Sequence, residues 1–92
     1  MPQPRTDPDP AEPLLRVALF AGLVDLAGCR RLQIPWRGGS VADLRRVLAE
    51  ARPAMAPLLA RSAVAVNDHY AGDGTPVPAA ADVAIIPPVS GG

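Results

Sequence analysis

One stretch of this chain reads clearly as a helix, and it limits what the rest can be. Ser40 to Arg52 is bracketed by Gly38-Gly39 before it and Pro53 behind it. Ser40-Val41-Ala42-Asp43 fits the capping-box pattern, with an acid three residues after the serine. Val41, Leu44, Val47, Leu48 and Ala51 recur on one stripe at helical spacing, while Arg45, Arg46, Glu50 and Arg52 are left to face water. Pro53 ends the helix, and Pro57 limits how far any second turn can run. A lone amphipathic helix must bury its stripe against another layer. The remaining apolar residues come in short alternating runs cut by Gly and Pro, so that layer is a sheet and the fold class is α+β.

The strands can be placed from those runs. In Leu14 to Ala21, Leu15, Val17 and Leu19 share one face and Arg16, Ala18 and Phe20 the other. Gly22 breaks the run. Leu23 to Ala27 reads as one or two helical turns closed by Gly28 in a left-handed cap. Cys29 to Ile34 forms a second strand, and the short connection makes the two antiparallel neighbours; Pro35 and Gly38-Gly39 end it. Ala63 to Val66 is a third strand, followed by a turn at Asn67-Asp68. A turn at Asp73-Gly74 precedes a short segment at Thr75 to Val77. Val83 to Ile86 is the last strand, stopped by Pro87-Pro88. The first and last strands are richest in large apolar residues, and with the helix between them they lie side by side at the centre and run parallel. The expected organisation is a flexible Pro/Asp-rich arm over 1–13, one domain over 14–86 and an extended tail over 87–92.

Composition removes several function classes. The chain has 92 residues and a formal net charge of +0, which argues against nucleic-acid binding. All of its cationic side chains are arginine, so no internal lysine can serve as a Schiff-base nucleophile or accept an isopeptide bond. The single cysteine, Cys29, excludes an internal disulfide and a multi-cysteine zinc site. No basic region leads into an apolar stretch, and the run Val17 to Val24 is far short of the ~20 residues that cross a bilayer. The expectation is a cytoplasmic protein with no membrane partner. His69 reads as a solvated loop histidine, and Cys29 as a small buried or half-buried hydrophobe. Gly38-Gly39 lacks the spacing and lysine of a phosphate loop. Asp25 and Asp82 read as cap or turn carboxylates. Trp36 fits either a core plug or a surface contact.

The last eight residues, Ile85-Ile86-Pro87-Pro88-Val89-Ser90-Gly91-Gly92, differ from the rest. The two prolines hold the backbone extended, and Ile86 is restricted too because it precedes a proline. The strand therefore continues outward as a stiff stalk. Two residues without side chains follow it. A Gly-Gly end can thread a narrow channel and leaves its carboxylate unhindered, the geometry needed if the carboxylate is the reactive group. Such a group must first be activated, for instance by adenylation from ATP, after which sulfur can replace AMP.

On these residues, Leu14 to Gly92 resembles the ubiquitin-like sulfur carriers, and among them the small subunits of molybdopterin synthase. The resemblance is carried by Val17-Ala18-Leu19-Phe20-Ala21, Leu26-Ala27-Gly28, Val66-Asn67 and the block Asp82 to Gly92. Residues 1–13 lie outside it, and Arg52 to Arg61 matches poorly. The resemblance implies a β-grasp (ubiquitin-like) fold: a mixed sheet of four to five strands, one main helix on one face and an extended C-terminal tail. It implies that the Gly92 carboxylate, after Gly91, is adenylated by an E1-like enzyme that consumes ATP. A sulfur donor such as a cysteine desulfurase or rhodanese-like protein then provides the sulfur of a thiocarboxylate. No cofactor is bound permanently, and no metal. Pro87, Pro88, Val89 and Ser90 would enter the large catalytic subunit of molybdopterin synthase, in a heterotetramer of two small and two large subunits. There the sulfur passes to cyclic pyranopterin monophosphate. The chain alone would be a non-catalytic sulfur-carrier subunit of that sulfurtransferase.

A docking surface follows separately from the strand pattern. With the helix on one sheet face, Phe20 and Ile86 belong to the open face, beside the tail. Tyr70 joins them by resemblance, since its position matches a hydrophobic contact residue of the family. Phe20 and Ile86 could instead pack on the arm or a loop. Three other functions stay open on sequence: a carrier for thiamine or cysteine synthesis, a protein modifier joined through Gly92 to target lysines, and a plain binding module with an inert tail.

Overall fold

A computed structural model describes residues 13–88; the arm and residues 89–92 fall outside the described part. The elements are β1 (Leu14–Leu19), α1 (Gly22–Ala27), β2 (Arg31–Pro35), β3 (Gly39–Ser40), α2 (Val41–Ala51), a 3-10 turn (Pro53–Met55), α3 (Ala56–Ala60), β4 (Ala63–Val66), β5 (His69–Ala71), β6 (Pro76–Val77) and β7 (Asp82–Ile86). Five strands form one sheet in the order β2-β1-β7-β4-β5. β1 and β7 are the parallel central pair, with Val17 opposite Val83 and Leu19 opposite Ile85. β2 lies antiparallel to β1, and β4 antiparallel to β7. This is the β-grasp arrangement, and its centre is the parallel pair expected from the apolar runs.

Strand alternation sorts the residues cleanly. Leu15, Val17, Leu19, Leu32, Ile34, Val64, Val66, Val83 and Ile85 are buried beneath the helices. α2 presents Val41, Leu44 and Leu48 to them, all fully buried. A leucine buried that completely contributes roughly 1.5–3 kcal/mol. The helix starts where the capping box sets it. The Ser40 Oγ accepts from the Asp43 N–H at 3.1 Å, and the Asp43 carboxylate accepts from the Ser40 N–H at 3.0 Å. The Ser40 N–H first, and next the Ser40 hydroxyl donating to the same carboxylate oxygen at 3.0 Å, hold the Asp43 carboxyl below its ordinary value. Ala51, assigned to the apolar stripe, is instead exposed, because the stripe turns away from the sheet in the last turn.

α1 ends as expected, with Gly28 at φ 78° donating its N–H to Val24 O. β2 ends at Pro35 as expected, on an edge strand that tolerates a missing N–H. Four local features depart from the sequence reading. Cys29 precedes β2 and is half-buried. The segment after Pro53 is helical: Pro53 and Pro57 each stand in the first turn of a short helix, where proline costs no hydrogen bond. That segment supplies Met55 and Leu59 to the core. Arg45, read as water-facing, is half-buried. Its Nη1 donates to Leu59 O at 2.6 Å and its Nε to Asp73 Oδ1 at 2.9 Å, tying α2 to α3 and to the loop before β6.

The fourth departure is a second, two-stranded sheet of β3 and β6, beside Trp36. Trp36 is a core plug, 5% exposed, and its Nε1–H donates to Val77 O at 3.0 Å. Val77 stands between Pro76 and Pro78, neither of which has an N–H, so only the Gly39·Val77 pair can exchange backbone bonds. The small sheet thus depends on one backbone pair and one indole. Beside it, the Val41 N–H bonds to Thr75 O and the Ala42 N–H to Asp73 O, satisfying donors of the first turn of α2.

Candidate functional site: the open sheet face and the root of the tail

The helices cover one sheet face and leave the other uncovered. Register places the residues of that second face in rows across the strands. A polar row runs Gln33, Arg16, Asp82. Next to it runs Arg31, Ala18, Ala84, Ala65, Tyr70, one residue from each of five strands. A third row has Ile86 opposite Ala63, with Phe20 beside it one residue past β1.

Phe20 is 47% exposed and Tyr70 75% exposed, whereas Ile86 is half-buried. The structure therefore brings Phe20, Ile86 and Tyr70 to one face. Ala18, Ala65 and Ala84 are half-buried and form a low floor between them. A shallow depression on this side is lined by Arg16, Ala18, Arg31, Gln33 and Asp82. Among the described residues, neither the Arg16 nor the Arg31 side chain has an ion-pair or hydrogen-bond partner.

Tyr70 is held there by a hairpin that the sequence reading ended too early. Asn67 and Asp68 both have positive φ, 50° and 69°, the conformation of a tight two-residue hairpin turn. The chain therefore returns as β5, with Tyr70 opposite Ala65. Asn67 also fastens the hairpin to β7: its N–H donates to Asp82 O, and its Oδ1 accepts from the Asp82 N–H at 2.9 Å. His69, expected in a loop, is in β5, exposed as a solvated histidine would be. Asp82 belongs to this anchor.

The root of the tail is fixed by β7. Val83, Ile85 and Pro87 are buried in alternation, so the core-facing pattern continues one residue past the strand, and Pro88 is the first exposed position. Of the residues assigned to the tail, Val89, Ser90, Gly91 and Gly92 lie outside the described part. Among the described residues no group of three or more His, Cys, Asp or Glu side chains could hold a metal ion. No described helix is long and apolar enough to cross a membrane.

The fold and the central-strand tail define a ubiquitin-like β-grasp protein of the sulfur-carrier class. The chain belongs to the ThiS family, which it matches over residues 17–92, through the final glycine. Among solved structures it is similar to SAMP1 from Haloferax volcanii, at 28% identity over 86% of this chain and 99% of that one, with a TM-score of 0.75. It is also similar to a candidate molybdopterin converting factor subunit 1 from Pyrococcus furiosus, at 24% identity over 83% and 98% of the two chains, TM-score 0.73. A third likeness is to a protein–protein complex of subunits 1 and 2 of the molybdopterin-converting factor from Helicobacter pylori. The identity there is 22% over 86% and 99% of the chains, with a TM-score of 0.61. No curated protein sequence matches significantly.

Proposed function

We propose that this chain is the sulfur carrier of molybdenum cofactor biosynthesis, the small, non-catalytic subunit of a molybdopterin synthase. The observation that carries the reading is the course of β7. A buried central strand runs straight into Pro87-Pro88, and the family match continues from there through Gly92. An E1-like enzyme joins the Gly92 carboxylate to AMP, releasing pyrophosphate from ATP. The terminal persulfide sulfur of a cysteine desulfurase or rhodanese-like donor then displaces AMP to give an acyl disulfide. Attack of a thiol on the donor's sulfur of that bond releases the thiocarboxylate and leaves the donor in a disulfide with the thiol. The tail, from Pro88 through Val89, Ser90 and Gly91, enters the large subunit, where the sulfur passes to cyclic pyranopterin monophosphate. The chain contributes the end, its stiffness and the face by which partners hold it: Phe20, Ile86 and Tyr70. A cytoplasmic, heterotetrameric synthase is the setting this reading implies.

The test is intact-mass measurement of the chain incubated with an E1-like enzyme, ATP and a sulfur source. The expected product is heavier by the difference between sulfur and oxygen, and a chain lacking Gly92 should remain unchanged. An unchanged mass for the full chain, under conditions in which a known carrier is converted, overturns the reading. One observation favours a second function: the likeness to a small archaeal modifier protein. A modifier joined through Gly92 would leave Gly-Gly remnants on target lysines. A carrier for thiamine or cysteine synthesis would show the same mass change but would not restore molybdopterin output with the large subunit.

A further inference from the structure

We infer that the open face is a seat for an amphipathic α-helix of a partner protein, lying along the alanine row with acidic residues on the flank that faces Arg16 and Arg31. This deepens the proposed function, since it rests on the reading that partners hold this face, and it names the element that does so.

The dimensions come from the register. Arg31 and Tyr70 close the two ends of a row that crosses five strands, with Ala18, Ala84 and Ala65 between them. Four inter-strand spacings make that row roughly 19 Å long. The rows on either side of it, at Arg16 and at Phe20, are four residues apart along the chain, or about 13 Å. An α-helix with its side chains is about 10–12 Å across, and about 13 residues of it cover 19 Å. Small floor residues let its axis come close.

An extended segment fits poorly here. Its N–H and C=O groups would be pressed against alanine methyls with no partners, whereas a helix satisfies its own backbone. Strands add to sheet edges, not faces. The two walls then set the helix's sides. Phe20 and Ile86 line one flank and take large apolar side chains. Gln33, Arg16 and Asp82 line the other. Arg16 and Arg31 have no ionic partner among the described residues, and the two exposed guanidinium groups complement an acidic flank. Asp82 repels acids from its end of that wall, which directs them towards Gln33, Arg16 and Arg31. The described helices of a second copy do not offer such a helix: α2 exposes Ala42, Arg46, Glu50 and Ala51, with no large apolar group, and α1 and α3, of 6 and 5 residues, are too short.

The experiment is an NMR titration of the full isotope-labelled chain with a synthetic, end-capped 16-residue helical peptide. The peptide carries a Leu/Ala stripe with glutamates along one flank. The expected result is saturable shifts of the Ala18, Ala65 and Ala84 methyls and of Tyr70. R16E/R31E should weaken binding about tenfold or more, and a peptide with lysine for glutamate should recover that loss on the variant. Ala84→Arg, which fills the floor, should abolish binding; if it does not fold, the double charge variant, exposed at both sites, decides alone. No saturable shift at millimolar peptide overturns the inference. So do shifts centred on α2, equal affinity for glutamate and lysine peptides, or equal binding of a proline-interrupted peptide. Self-association of the free chain through this face overturns the partner helix in favour of a second copy. None of these outcomes depends on sulfur chemistry, which the mass measurement tests separately.

Discussion

Replacing Trp36 with phenylalanine tests how the small β3–β6 sheet is held to the core. The indole is buried, and its N–H donates to Val77 O at 3.0 Å across a sequence separation of 41 residues. Val77 O keeps a second donor, the Gly39 N–H of the single backbone pair, so the substitution loses one bond without orphaning the carbonyl. A lost neutral hydrogen bond costs about 0.5–1.5 kcal/mol. The smaller ring leaves a void of about 40 Å³, which at ~24 cal/mol per Å³ adds about 1 kcal/mol. The sum is about 2 kcal/mol. For a domain of this size each kcal/mol moves Tm by about 4–8 °C, so the variant should melt roughly 8–16 °C lower. Urea denaturation should give the same ΔΔG with an unchanged slope. Amide exchange at Gly39 and Val77 should accelerate more than in β1 and β7. A loss below about 0.5 kcal/mol, or exchange that rises evenly over the whole chain, would refute the role assigned to the indole.

Two further predictions concern the entry to α2 and the glycines. Ser40→Ala should destabilise the fold by about 1 kcal/mol in thermal denaturation, the usual loss for a helix N-cap. Asp43 has a lowered pKa in the folded state, so its stabilisation is present above the unfolded value near 3.8 and is lost as pH falls through the folded one. Asp43→Asn should therefore flatten the acid limb of stability against pH, and an unaltered limb would contradict the capping box as its source. Gly39→Ala should cost more than Gly28→Ala in urea denaturation. Both have positive φ, 149° and 78°, but a Cβ at Gly39 would come within 3.2 Å of Asp43 Oδ2 and of the Trp36 ring, whereas at Gly28 nothing lies within 4 Å. Gly28→Ala should cost roughly 1 kcal/mol from backbone strain alone.

What could be read in the sequence was what repeats locally. The richness of the first and last strands in large apolar residues, with the helix between them, identified the central pair, and their alternation put Phe20 and Ile86 on the open face. The capping box at Ser40 and the cap at Gly28 were legible for the same reason, since each is specified within four residues. Trp36 could not be placed, because a single aromatic between Pro35 and Arg37 has no period and its partner stands 41 positions away. Met55 and Leu59 were missed because Pro53 and Pro57 read as breakers, and only the fold places them in first turns. β5 is three residues long with two of them exposed, too short for alternation to register. The polar wall and the alanine floor depend on cross-strand register, which no single run carries.

On the proposed function, the position of β7 explains how a chain with no metal-binding cluster among its described residues can deliver a reactive end. β7 is paired on both sides, with β1 as far as Ile85 and with β4 as far as Ile86, so its end is held as that of an edge strand would not be. Pro87 is still seated in the core, and Pro88 is exposed. On the proposed function, the four residues after Pro88 reach at most about 14 Å. Whatever holds the open face must therefore present its own active centre within that distance of Pro88. The docking face and the tail act together for this reason. The same two strands that carry the open-face residues also fix the point from which the carboxylate is measured out, so the offset between grip and chemistry is set by hydrogen-bonded register and not by linker length.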